Sequence, residues 1–246
     1  MAGDNPWDTY ARRWTQSPET VFIEDRAATG DRATYLTTIG DEWGTKASVE
    51  SVVAEFLLPF IGSDAVVLDL GCGGGRVARH LRPYVRTLVC ADPSMAMLEV
   101  AGRLVPALKS SRVHTADTPT ALPFGRAAFD LIFSFDVMVH FESRLIYRYM
   151  LACADLLRDG GRLMVHVATA DTPVGLEHFR RSAVAGGSAT AFGAFSYQSR
   201  TLVDAMGRMA GLCPLLCSLP LAGHFYCQRD FVAVFEKRLP PTAPQG

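Results

Sequence analysis

The chain has 246 residues, 49% of them hydrophobic and 20% charged, with a net charge of −1, a composition that fits one soluble α/β domain with ample length for a buried core. Its apolar runs all fall short of the ~20 residues of a membrane span, and the N-terminus, rich in Asp, Trp and Arg, lacks the apolar region of a secretion signal, so a cytoplasmic protein with no membrane partner is expected. No Lys/Arg block is long enough to follow a phosphate backbone, so nucleic acid is not an expected partner.

Pro6 and Pro18 bound a short amphipathic helix, Trp7 to Thr15, with Trp7, Tyr10 and Trp14 at helical spacing. The turn Gly40-Asp41-Glu42-Trp43-Gly44 carries a ring that needs burial, on the core or in a ligand pocket. Ser48 caps a helix whose apolar face is Val49, Val52, Val53, Phe56 and Leu57, ended by Pro59. Residues 1–63 thus read as a helical lid or cap ahead of a main domain over 64–239.

Val66 to Leu70 is a buried strand that turns sharply through Gly71, Gly73, Gly74 and Gly75 into a helix over 75–82. Glycine leaves no Cβ between the main chain and a ligand, and a helix start offers free N–H groups and a positive dipole end. Read as Gly73-x-Gly75-x-x-Ala78, the motif is a dinucleotide fingerprint. Read from Asp69, it is an acid followed by three alternating glycines, and that acid would repel a pyrophosphate and attract a cationic ligand.

A second strand, Arg86 to Ala91, ends at Asp92, where a carboxylate can accept from two vicinal ribose hydroxyls. A third, Arg112 to Ala116, ends at Asp117-Thr118. The fourth strand and its loop, Phe129 to Phe141, carry Asp136 and His140. A helix from Arg144 to Leu157 closes at Gly160-Gly161 and leads into strand Arg162 to Val167. Residues 169–198, rich in Gly, Ala, Ser and Thr and containing His178, read as a surface loop or a substrate-side insertion. Ser196 or Ser199 caps a helix with Leu202, Ala205, Met206 and Met209. Residues 213–219 and 230–237 are two final strands, an antiparallel pair with Tyr226 between them, and 240–246 is an expected disordered tail. The six cysteines, Cys72, Cys90, Cys153, Cys213, Cys217 and Cys227, form no C-x-x-C pair, so neither zinc, any other metal, nor a disulfide framework is expected; the thiols read as reduced and mostly buried.

Taken in order, these motifs resemble those of the class I S-adenosylmethionine (SAM) methyltransferases, strongly over residues 64–170 and weakly over 196–237. Asp69-x-Gly71-x-Gly73-x-Gly75 resembles the first motif and Asp92-Pro93-Ser94-x-x-Met97-Leu98 the second. Asp117 with Leu122-Pro123-Phe124 resembles the segment that meets adenine, and Phe129 to His140 the segment that faces the methionine. Leu156 to Leu163 matches the fifth-strand entry, with Asp159 where proline is usual.

The resemblance implies a Rossmann-like α/β fold: a seven-stranded, mostly parallel sheet with helices on both faces and an antiparallel last strand. It implies SAM as cofactor and S-adenosylhomocysteine as product. The expected cofactor residues are Asp69, Gly71, Cys72, Gly73, Gly75, Asp92, Pro93, Met97, Asp117, Thr118, Ser134 and Phe135, with Tyr10 from the lid. A small-molecule acceptor is expected near Trp14, Trp43, His140, His178 and Tyr226, in a monomer or homodimer. O-methylation of a hydroxyl is the expected reaction, with His140 as base and Asp136 as a second base or an orienting acceptor. A histidine that only packs at the start of the next helix is the alternative for His140. N-methylation is the second reading of the reaction. A SAM-fold protein that uses the cofactor without turnover and an NAD-dependent oxidoreductase are the readings of another class. Asp117 and the loop at His140 favour SAM over NAD.

Overall fold

The computed structural model describes residues 5–16, 46–105, 109–112, 122–184, 194–219 and 228–238. They form two compact units, one from residues 1–64 with 68–115, the other from 65–67 with 116–246.

The first unit holds α1 (Pro6–Gln16), α2 (Lys46–Phe56), most of β1 (Val66–Leu70), α3 (Ala78–Leu81), β2 (Thr87–Asp92), α4 (Met95–Leu104) and β3 (Lys109–Arg112), with strand order β3-β2-β1. β2 and β3 are parallel, Val89 facing Lys109 and Asp92 facing Arg112. The third strand thus sits earlier than residues 112–116, and 113–121, with Asp117 and Thr118, lie outside the described residues. The helix expected over 75–82 begins only at Ala78, because Gly75 is held at φ +86°, and it passes at once into a 3-10 turn, Arg82–Tyr84, around Pro83. α2 buries Val49, Val52, Val53 and Phe56, the face its sequence predicts.

The second unit continues from the first residues of β1. It holds β4 (Phe129–Ser134), a 3-10 turn (Met138–His140), α5 (Ser143–Leu156), β5 (Leu157–Thr169), α6 (Pro173–Val184), β6 (Tyr197–Gln198), α7 (Arg200–Met209), β7 (Leu212–Cys217) and β8 (Asp230–Lys237). Its order is β1-β4-β5-β8-β7, with the two-residue β6 pairing beside β5. β5 runs parallel to β4, and β8 runs antiparallel to both β5 and β7. The strand path β3-β2-β1-β4-β5-β8-β7 is the seven-strand mixed sheet of the Rossmann-like class. β5 and β8 are covered on both sides, with Leu163 to Ala168 and Phe231 to Phe235 all buried, so they read as continuous rather than alternating runs.

Two expectations in this unit change, and one alternative is resolved. The Gly160-Gly161 pair does not end a helix: α5 stops at Leu156, and Gly160 (φ +74°) sits in a bulged start of β5, where the pairing with β4 shifts between Phe129 and Leu131. Residues 173–184 are helix rather than loop, with Glu177 bonded to Arg180 and Arg181 on the exposed face. The α7 cap is Ser199, whose hydroxyl accepts from Leu202 N at 3.3 Å. Cys72, Cys90 and Cys153 are buried as expected, whereas Cys213 and Cys217 are half-buried where β7 shifts register between Pro214 and Leu216. Cys227 and Tyr226 lie outside the described residues, as do Trp43, the tail from 239 and the Trp14 side chain. Among the described residues no helix is long and apolar enough to cross a membrane.

Candidate functional site

In the first unit the site is built at the carboxyl end of β1. Gly71 N and Cys72 N both donate to Ala91 O, at 2.7 and 3.1 Å, which folds the glycine turn back onto β2. Gly73 (φ +51°) and Gly75 (φ +86°) occupy the left-handed region, so their identity is a backbone requirement. A Cβ on Gly75 would press on Ala101 at 3.3 Å, whereas one on Gly73 would meet nothing within 4 Å. Gly75 therefore fits α4, and Gly73 borders open space.

Asp92 closes the turn. Its Oδ2 accepts from Gly73 N and its Oδ1 from Ser94 N, each at 2.9 Å. Burial lifts its carboxyl to about 6; the Ser94 and Gly73 N–H groups oppose that lift and Asp8 adds to it. The two N–H bonds use half of the carboxylate's lone-pair directions, and two remain for a vicinal diol. Asp69, also buried, is held well above the ordinary carboxylate range by burial first and the charge of Asp92 second, against Arg76. Its Oδ2 has no hydrogen-bond partner among the described residues. A buried acceptor without a donor, beside an open glycine, suits a ligand that brings N–H groups and positive charge. The donor set and the Gly73 cradle thus fit SAM. Cys72 is no nucleophile: its bond with Cys90 and its burial push the thiol up.

α1 packs on the same turn. Asp8 Oδ1 accepts from Ser94 Oγ at 2.5 Å and from Ala96 N at 3.2 Å, placing a carboxylate at the start of α4. Asn5 Nδ2 donates to Pro93 O at 3.0 Å. Trp7 and Tyr10 lie edge to face at 5.9 Å and pack with Ala11 against the buried Met97. Tyr10 and Met97 thus meet each other's cluster. Asp8 and Ser94 were not foreseen, although Asp-to-cap pairing leaves a signal only once α1 and α4 are known to touch.

In the second unit the chemistry collects around the loop after β4. Ser134 is fully buried, and Phe135 stacks on the His166 ring, 4.4 Å between centroids and 17° off parallel. Asp136 takes φ +57°, unusual for a residue with a side chain. The 3-10 turn then presents His140, whose Nδ1 lies 2.9 Å from Ala194 O. A carbonyl only accepts, so Nδ1 carries the proton and Nε2 the lone pair. Burial lowers the His140 pKa; the Ala194 bond and the charges of Asp136 and Asp230 raise it, and Arg229 lowers it, the net shift being downward. His140 is thus neutral at pH 7, in the tautomer a base requires.

Phe195 is flanked by His140, by His178 and by Arg229, whose guanidinium carbon sits 4.4 Å over the ring. His178 Nδ1 is 2.7 Å from Tyr197 Oη. Beneath this layer lies a buried group that sequence reading missed. His166 Nδ1 is 3.1 Å from Asp136 Oδ1, its Nε2 is 3.4 Å from Asp230 Oδ2, and Arg229 grips Asp230 with both Nε and Nη2. One donor atom from each of Asp136, His166 and Asp230 lies within 4.8 Å of the others, the one such group among the described residues with metal-ligand chemistry. Two carboxylates against one guanidinium and an imidazole balance only when the ring is protonated. The available signal was a histidine inside an apolar strand.

A parallel core with a glycine turn after its first strand and an acid closing the second defines a nucleoside-type cofactor fold. Residues 67–161 match the family described as methyltransferase domain. Ubiquinone biosynthesis O-methyltransferases from Rhizobium johnstonii and Dinoroseobacter shibae are 30% identical over 99 residues and 36% identical over 101, in each case covering 40% of this chain and 39% of the relative. The match thus spans about two-fifths of those curated relatives. The structure of magnesium protoporphyrin IX methyltransferase from Synechocystis, with bound S-adenosylhomocysteine, superposes with a TM-score of 0.60 at 16% identity, covering 80% of this chain and 84% of that one. Over residues 67–161 the chain is thus similar to methyltransferase domains, and its fold is one that such enzymes adopt.

Proposed function

We propose that the protein transfers the methyl group of SAM to a hydroxyl of a small-molecule acceptor, with His140 as general base. The observation that carries this reading is the His140 Nδ1 to Ala194 O bond, which puts the ring proton on Nδ1 and the basic lone pair on Nε2. The names of the curated relatives, all O-methyltransferases, support a hydroxyl as acceptor.

Asp92 would hold the ribose diol, with Pro93 beside it, while Gly71, Cys72, Gly73 and Gly75 bring bare backbone against the cofactor. Asp69 would accept from its amino end. Tyr10 and Met97 of the α1–α4 cluster are further cofactor candidates, and by the resemblance so are Ser134 and Phe135 at the end of β4. When bound, SAM supplies a methyl group on a sulfonium, already activated for displacement. The chain's own work is then alignment of the acceptor, which can contribute up to ~7–11 kcal/mol, and removal of the hydroxyl proton to His140 Nε2, worth ~10²–10⁴-fold. Phe195, His178 and Arg229 offer the acceptor an aromatic, partly cationic wall. An amine acceptor that arrives unprotonated would need no base.

The test is a panel of small phenols, alcohols and amines incubated with SAM, read by S-adenosylhomocysteine release and product mass. Methylated hydroxyl products are the expected result. Calorimetry that detects NAD(H) binding and no SAM binding, or amine products alone, overturns it.

A further inference from the structure

We propose that His166 is a positioning residue for methyl transfer: an imidazolium clasped between Asp136 and Asp230, it fixes the Asp136 carboxylate beside His140. The inference rests on the reading of His140 as base.

His166 Nδ1 faces two groups of the same residue, the Asp136 N–H at 3.2 Å and Asp136 Oδ1 at 3.1 Å. A ring nitrogen cannot accept from the first and donate to the second. Nε2 points at Asp230 Oδ2, 3.4 Å away, and both His166 and Asp230 are wholly buried. A neutral ring protonated on Nε2 could accept from the Asp136 N–H, but it would leave the nearer group, Asp136 Oδ1, facing the Nδ1 lone pair in a buried site. An imidazolium turns an N–H toward each carboxylate, at ion-pair distances of 3.1 and 3.4 Å, and with Arg229 on Asp230 the four charged groups sum to zero. The direction of titration agrees: burial alone would lower the His166 pKa, but hydrogen bonds and charge from Asp136 and Asp230 outweigh it and raise it. Asp230 moves the opposite way: burial alone would raise its pKa, but His166 and Arg229 outweigh it and lower it.

Asp136 needs such an anchor, because its φ of +57° is disfavoured for an aspartate and persists only when the surroundings impose it. Phe135 stacks on the same imidazole, so one ring contacts both residues after β4. Asp136 and His140 share the turn, and the charge of Asp136 favours protonation of His140. In the reaction the acceptor oxygen forms the new C–O bond, its proton goes to His140 Nε2, and the S–CH₃ bonding pair stays on sulfur. Asp136 then faces a newly cationic His140. Asp230 and Arg229 complete the set of charges around the ring, and their field on His140 is of opposite signs.

The experiment is a double-mutant cycle of His166→Gln and Asp136→Asn, with kcat and KM for SAM and acceptor measured against pH, together with ¹⁵N NMR of the histidine rings. His166→Gln is expected to lower kcat about tenfold with KM for SAM little changed, and to add almost nothing in the Asp136→Asn background, since its effect passes through Asp136. A purely structural histidine gives the same loss in both backgrounds, and that result overturns the proposal. If His166→Gln does not fold, His166→Gln with Asp230→Asn restores charge balance, and it should fold with kcat still low; full activity in that variant overturns it. NMR needs no turnover: His166 should show both nitrogens protonated at about pH 7 to 8. A neutral ring there, or Mn²⁺ or Zn²⁺ binding that requires His166, also overturns it. Intact NMR and coupling of the ring to Asp136 in a protein that methylates nothing would leave the anchor standing and remove the methyl-transfer reading instead.

Discussion

Asp92 is where acidity should separate cofactor binding from folding. With its carboxyl at about 6, the group is about nine-tenths ionised at pH 7 and about one-tenth ionised at pH 5. Ribose hydroxyls need the ionised form, so SAM affinity should fall about tenfold between those two pH values. Stability moves the other way. A folded-state pKa raised from 3.8 to about 6 means that the native protein holds this proton more tightly than the unfolded chain. The acid form therefore favours folding below about pH 6, and the buried anion costs about 3 kcal/mol above it. Asp92→Asn removes both slopes. It also sets an amide against Gly73 N or Ser94 N, a donor against a donor, and should weaken SAM binding by about 1.5–3 kcal/mol at pH 7. Calorimetric titration of SAM over this range, in the wild type and Asp92→Asn, reads the first effect; urea unfolding reads the second. A wild-type affinity that stays flat from about pH 5 to 7, or an undiminished slope in Asp92→Asn, refutes the assignment of the proton to this carboxylate.

His140→Gln should lower kcat by ~10²–10⁴-fold with SAM affinity kept, and because burial lowers the His140 pKa, the acid limb of wild-type kcat should lie below the 6.5 of an ordinary histidine; S-adenosylhomocysteine release against pH measures both. Gly73→Ala places a methyl in open space at φ +51°, so unfolding should show a loss of only ~1–2 kcal/mol while SAM affinity falls at least tenfold; retained affinity would mean the loop is no cradle. Gly207→Ala in α7 drives a Cβ into the Phe235 ring, and overpacking of ~1–3 kcal/mol should exceed the ~1 kcal/mol gain in helix propensity. A melting temperature equal to or above wild type would contradict that packing.

Local demands were legible in the sequence, and tertiary ones were not. The glycines at 71, 73 and 75 could be read because positive φ is imposed within the turn itself, and Asp92 because its strand ends a fixed distance after that turn. The Gly160-Gly161 pair misled because a helix end and a strand bulge ask for the same residue. α6 escaped because Gly175 is its only buried residue, which leaves no inward apolar stripe, and Val174, Leu176 and Phe179 stand exposed. The His166 and Asp230 contact depends on an antiparallel register that pairs His166 with Val232, which nothing local specifies.

The seating of α1 has a consequence for how the N-terminal end behaves. At eleven residues it is too short to hold a helix in water on its own. Its order is borrowed from Asp8 on Ser94 and Ala96, and from Trp7 and Tyr10 on the Met97 cluster. The residues that receive it belong to the same turn whose Asp92 is proposed to hold the ribose. Coil-to-helix ordering at residue 6 and ligand occupancy at residue 92 are therefore linked equilibria, and whatever factor one applies to the other is returned in full. The aromatic ring of Trp7 sits on the Met97 cluster where that exchange would take place, so its fluorescence should report how full the adjacent turn is.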